Sequence, residues 1–105
     1  MVNREIIDML RRYVMLLNAE GFSVSKAYLY GSYAAGTATD ESDIDVLIVS
    51  DKVDENDDKA IGKAWRLTRK ESTRIEPYIV GLKNFNSQSV SPLVDTVKKK
   101  GVLIV

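Results

Sequence analysis

Apolar residues recur at spacings of three and four through Val2, Ile6, Leu10, Tyr13, Val14 and Leu17. That spacing predicts one amphipathic helix of about four turns. Asn3 is placed to cap it and Gly21 to end it. The short aromatic run Ala27 to Tyr30 predicts a strand, which enters a glycine-marked turn from Gly31 to Gly36 with room for one helical turn. Thr37 to Ser42 is polar loop. Ser42 to Ser50 predicts a second strand, and its Ile44-to-Val49 portion is apolar enough to be central and buried. The acidic stretch Asp51 to Asp58 is a surface loop. Lys59 to Ser72 predicts a helix with Ala60, Ile61, Ala64, Trp65 and Thr68 on one face, its lysines and arginines forming the wet side. Arg74 to Val80 predicts a third strand, which Pro77 pushes toward an edge. Ser91 to Lys100 predicts a last short helix with Pro92 in its first turn. Lys98, Lys99 and Lys100 lie where the helix dipole favours cations. Gly101 stops that helix, and the apolar tail Val102 to Val105 is either a further strand or, like Phe85, core or interface. The order α-β-α-β-α-β-α describes one α/β (α+β) domain over residues 1–105.

Composition narrows the chemistry. The chain of 105 residues has no cysteine and no histidine. Disulfides, thiolate metal sites, cysteine nucleophiles, histidine dyads and histidine zinc sites are therefore excluded. What remains is carboxylates, hydroxyls, lysine, arginine and backbone amides. Fifteen bases balance fifteen acids, so no global field draws the chain onto nucleic acid or an anionic membrane. The N-terminal Arg4, Glu5 and Asp8 do not suit a signal peptide, and no apolar run reaches the length of a membrane span. A cytoplasmic protein without autonomous nucleic-acid binding is the expectation.

Three features carry candidate chemistry. Gly31-Ser32 directly follows a strand, where glycine lets backbone approach a ligand and the Ser32 hydroxyl can meet a phosphate. The run is no Walker A loop, because Thr37 stands where lysine is required, and Tyr33 breaks the dinucleotide fingerprint. Asp43-Ile-Asp45 sends two carboxylates to one face of a strand. Their mutual repulsion is relieved by a divalent cation such as magnesium or manganese. Glu76, in an otherwise apolar strand, is a candidate third ligand. The acidic loop lacks the fixed positions of a calcium-binding EF-hand.

Together, Gly31-Ser-Tyr-Ala-Ala-Gly36 and Ser42-Asp-Ile-Asp45 with its apolar continuation resemble the signature of the polymerase-β-like nucleotidyltransferases. The resemblance is closest to the minimal nucleotidyltransferases and extends from the first helix to about Val80. It implies a mixed sheet with helices packed on it. It implies that Gly31 and Ser32 bind nucleotide phosphates, and that Asp43, Asp45 and Glu76 are catalytic and hold two magnesium ions, with manganese as a substitute. The implied reaction moves AMP from ATP to a hydroxyl acceptor. Two departures stand out: Tyr33, Ala34 and Ala35 fill a spacer that often holds arginine, and Glu76 stands where aspartate is common. Only about 25 residues follow the third strand, which implies an acceptor site completed by a partner or a second copy. Minimal nucleotidyltransferases are often paired with HEPN-domain toxins, so an antitoxin that modifies or binds such a neighbour is the leading expectation. The alternatives are a homodimeric aminoglycoside-type enzyme and a toxin-binding module without catalysis.

Overall fold

The computed structural model describes residues 3–87 and 91–105. Helix α1 spans Arg4–Ala19 and buries Ile6, Leu10, Tyr13, Val14 and Leu17, the predicted stripe. Val2, expected in the same stripe, lies outside the described residues. The Asn3 side chain accepts a hydrogen bond from the Glu5 amide at 2.8 Å, so the predicted cap forms. Strand β1 runs Val24–Tyr30, three residues longer at its start than the aromatic run indicated. A single turn of helix, α2, follows at Ser32–Ala35.

Strand β2 is Ile44–Ser50. It starts two residues later than expected, so Asp43 precedes the strand instead of standing in it. Helix α3 is Asp58–Leu67 and gives way to a tighter turn over Thr68–Lys70, where one continuous helix to Ser72 was expected. Asp57 caps α3 by accepting from the Ala60 amide. Trp65, expected on the inner face, is 43% exposed, and Leu67 packs on the core instead. Strand β3 is Ile75–Gly81, displaced one residue from its expected bounds. The short helix α4, Leu82–Phe85, was not anticipated. Helix α5 is Pro92–Lys100, capped by the Ser91 hydroxyl, and strand β4 is Val102–Leu103. The predicted order thus gains α4 and β4.

The sheet has the order β3-β2-β1-β4, with β1 antiparallel to both β2 and β4 and β2 parallel to β3. β3 is an edge strand, as Pro77 required. β2 is central and is covered on both faces. Ile44, Val46 and Ile48 join the core under α1 and α3; Leu47 and Val49 join a second cluster with Val80, Phe85, Val94 and Val97 under α4 and α5. Phe85 is therefore core, while Leu103 and Val105 of the tail stay exposed and Ile104 is buried. Tyr13 ties the first layer together by donating to the Ala64 carbonyl of α3 at 2.7 Å. Among the described residues no helix is long and apolar enough to cross a membrane.

Candidate active site

The sheet register assembles the site. Tyr30 pairs with Asp45 across β1 and β2, and Asp45 pairs with Glu76 across β2 and β3. Directly paired residues on neighbouring strands share a face, so Tyr30, Asp45 and Glu76 form one row across three strands. The face is that of the α4–α5 cluster. Ile44 and Ile75, also paired, point into the opposite core. Ile44, buried in that core, turns its strand neighbour Asp45 to the other face, while Asp43, ahead of the strand, reaches the row only from the preceding loop.

Gly31 closes the row from above. Its backbone has φ 77° and ψ −149°, a region that only glycine occupies without strain. A Cβ at this position would stand 2.4 Å from Asp45 Oδ2. The Asp45 carboxylate is therefore pressed against bare backbone, and Ser32 follows at the first position of α2.

Electrostatically the cluster is uncompensated: Asp43, Asp45 and Glu76 take part in no ion pair among the described residues. Burial pushes the Asp45 carboxyl up and the Asp43 charge adds to it, against a hydrogen bond from Glu76 that lowers it. Burial also raises the Glu76 carboxyl, followed by the charge of Asp43 and a hydrogen bond to it, then by Asp45 in the same two ways. The Tyr30 phenol is pushed up to about 12, chiefly by burial and then by the two neighbouring carboxylates. Three mutually repelling oxygen donors, with no nitrogen or sulfur among them, have the chemistry that suits a hard divalent cation. As they stand, however, no three such side chains among the described residues are arranged so that they could hold a metal ion. Loading a cation would need the acids to turn from one another toward it.

One positioning residue has no sequence signal. Arg74, just before β3, donates from Nε at 3.0 Å and from Nη2 at 2.8 Å to the Ser42 carbonyl, and also bonds the Tyr33 hydroxyl. Its guanidinium lies 5.7 Å from the Tyr33 ring centre. The Ser42 hydroxyl in turn accepts from the Thr39 amide at 2.9 Å. Arg74 thus fixes α2, the 37–42 loop and the residue next to Asp43 in one network. The spacer that lacks an arginine of its own is met by one from 41 residues further along the chain. A cavity of about 470 Å³, lined by Lys52, Asp54 and Lys83 among others, lies away from the site, at the opposite ends of β2 and β3.

The model of the nucleotidyltransferase domain family matches residues 10–104. Among solved structures, a candidate nucleotidyltransferase from Sulfolobus solfataricus superposes with a TM-score of 0.60 at 19% identity, over 94% of this chain and 78% of that one. A chain of a toxin–antitoxin structure solved with AMP-PNP superposes with a TM-score of 0.61 at 23% identity, over 90% of this chain and 71% of that one. At these identities the likeness is one of fold. No curated protein sequence matches the chain. With a family match across nearly its whole length and the same mixed sheet with flanking helices, the chain belongs to the nucleotidyltransferase domain family.

Proposed function

We propose that this protein transfers a nucleoside monophosphate, AMP from ATP, to a hydroxyl group on a partner protein, the hydroxyl oxygen bonding to the α-phosphorus as the α–β phosphoanhydride bond breaks and pyrophosphate leaves. The observation that carries the reading is the row made by the register, with Asp45 between Glu76 and the backbone of Gly31. Asp43, Asp45 and Glu76 would hold divalent cations, magnesium or manganese. Bound there, such ions supply Lewis acidity to the phosphates and lower the pKa of an acceptor hydroxyl. Gly31 lets the nucleotide approach the backbone closely, and Ser32 donates its hydroxyl to phosphate oxygens. Glu76, on the edge strand, accepts the proton of the incoming hydroxyl. Arg74 keeps Asp43 in place through Ser42.

The fold's likeness to a chain of a toxin–antitoxin structure solved with AMP-PNP supports an antitoxin role with a toxin, of the HEPN class, as acceptor. A second reading, a toxin-binding module without catalysis, draws on the unfinished arrangement of the three acids. Incubation with magnesium, α-labelled ATP and the protein encoded next to this one separates the two. Label on the neighbour, reduced at least a hundredfold with Asp45→Asn, is the expected result. A stable complex without label supports the binding module.

A further inference from the structure

Helix α3 carries the chain from the end of β2 back to the start of the parallel strand β3. Its last turn therefore lies at the end of the sheet where Asp45 and Glu76 stand. A cavity of about 310 Å³ opens there, lined by Trp65, Arg66, Thr68, Arg69 and Thr73. It belongs to the α1–α3 side of the sheet, the face opposite the acid row.

This surface is more than the wet side of a helix. Trp65 is 43% exposed, although the apolar spacing of α3 assigns it to the core and Leu67 takes that place. The bases around it differ in how they are bonded. Lys63 pairs with Glu20 at 2.8 Å, Arg12 pairs with Glu71 at 2.8 Å, and Arg74 is held by Ser42 and Tyr33. Arg66 and Arg69 make no ion pair among the described residues, and both line the cavity with the indole. Tryptophan and arginine are the side chains that most often carry the binding energy of protein interfaces.

We propose that this cavity docks an acidic segment of a partner protein, in which an apolar side chain packs on Trp65 between carboxylates held by Arg66 and Arg69. A guanidinium fork can take a carboxylate in two parallel hydrogen bonds, and the half-exposed indole supplies apolar area beside it. The cationic surface is short. Asp57 and Asp58 stand at the start of the same helix, about two turns away, after a loop with Asp51, Asp54 and Glu55. A nucleic-acid strand tracking along α3 would bring its phosphates against those carboxylates. A segment with two or three acids fits within the reach of the two arginines. The proposal rests on the reading that this chain works on a partner protein. To that reading it adds where the partner is gripped, at the acid-row end of the sheet but outside the row itself.

The chain has one tryptophan, so its tryptophan fluorescence reports on this cavity alone. The probes are a synthetic peptide with one leucine among glutamates, its glutamine counterpart, and an oligothymidine of equal charge. The glutamate peptide should shift and saturate the emission of the wild type, and the glutamine peptide should not. With a fluorescein label on the glutamate peptide, anisotropy should show Arg66→Gln and Arg69→Gln each weakening binding about tenfold, the scale of one charge-assisted hydrogen bond. Lys59→Gln removes one positive charge at the other end of α3 and should stay near wild type, as should Asp45→Asn. Equal loss in Lys59→Gln, no binding of the glutamate peptide, or tighter binding of oligothymidine than of the peptide would overturn the assignment. Transfer to the protein encoded next to this one separates the docking surface from the reading beneath it. Arg66→Gln combined with Arg69→Gln should raise the KM for that protein at unchanged kcat. An unchanged KM would overturn the docking role and leave the transfer reading standing. Peptide binding without any label transfer would sustain the docking surface and strike the transfer reading.

Discussion

Gly31 does two things that no other residue type can do at its position. It adopts a φ and ψ closed to side chains, and it leaves room for Asp45 Oδ2. Gly31→Ala should therefore cost about 1–3 kcal/mol of stability, measured by urea denaturation, and should displace Asp45 enough to abolish transfer. Asp45→Asn should act in the opposite direction on stability. Both Asp45 and Glu76 are raised in the fold, so the folded chain holds their protons more tightly than the unfolded one. The contribution of these groups is then fully present in acid, below the unfolded carboxyl pKa, and is lost as pH rises through the folded values. Without divalent cations at neutral pH, Asp45→Asn should melt a few degrees higher than wild type, and the difference should vanish in acid. Gly31-Ser32 and Asp43-Ile-Asp45 drew notice in the sequence through their short spacings and Glu76 as an acid in an apolar strand; that Asp45 and Glu76 stand side by side is a matter of the register between β2 and β3, which no spacing carries. Arg74 drew no notice, because its partners Tyr33 and Ser42 lie 41 and 32 residues away.

At the scale of elements, pairing between strands turns separate residues into a site. The apolar run of β2 and the proline of β3 were enough to predict a buried centre and an edge, since they reflect burial on two faces and a missing amide. The bounds of β1 and α3 were less legible. The exposed residues of β1 between Val24 and Ala27 carry no apolar pattern, and α3 tightens at Thr68, whose hydroxyl donates to the Trp65 carbonyl at 2.7 Å. Helix α4 is too short for periodicity to reveal. Two links between elements can be tested. Tyr13→Phe removes the tie from α1 to α3 and should cost about 1 kcal/mol, a fall in Tm of about 4–8 °C for a domain of this size. Arg74→Lys keeps the charge but cannot make both bonds to Ser42 and stack on Tyr33. It should lower transfer at least tenfold while the far-ultraviolet circular dichroism stays unchanged, because the loop before Asp43 loosens and the sheet does not.

The whole molecule is a mixed four-stranded sheet with α1 and α3 on one face and α4 and α5 on the other. Its charge is balanced in sum, while the row of acids concentrates negative charge on the face shared with α5. That separation leaves the fold to the apolar pattern and the chemistry to a few uncompensated groups. The acceptor was not legible, since nothing within the row specifies which hydroxyl approaches. The proposed activity requires Asp43, Asp45 and Glu76 to form a cation site that works with a nucleotide. The most direct measurement is manganese binding followed by electron paramagnetic resonance, on the wild type and Asp45→Asn, with and without AMP-PNP. The wild type should bind manganese, the analogue should tighten that binding, and Asp45→Asn should weaken it at least tenfold. Equal binding by both proteins, or none by the wild type in the presence of the analogue, would contradict the cation site.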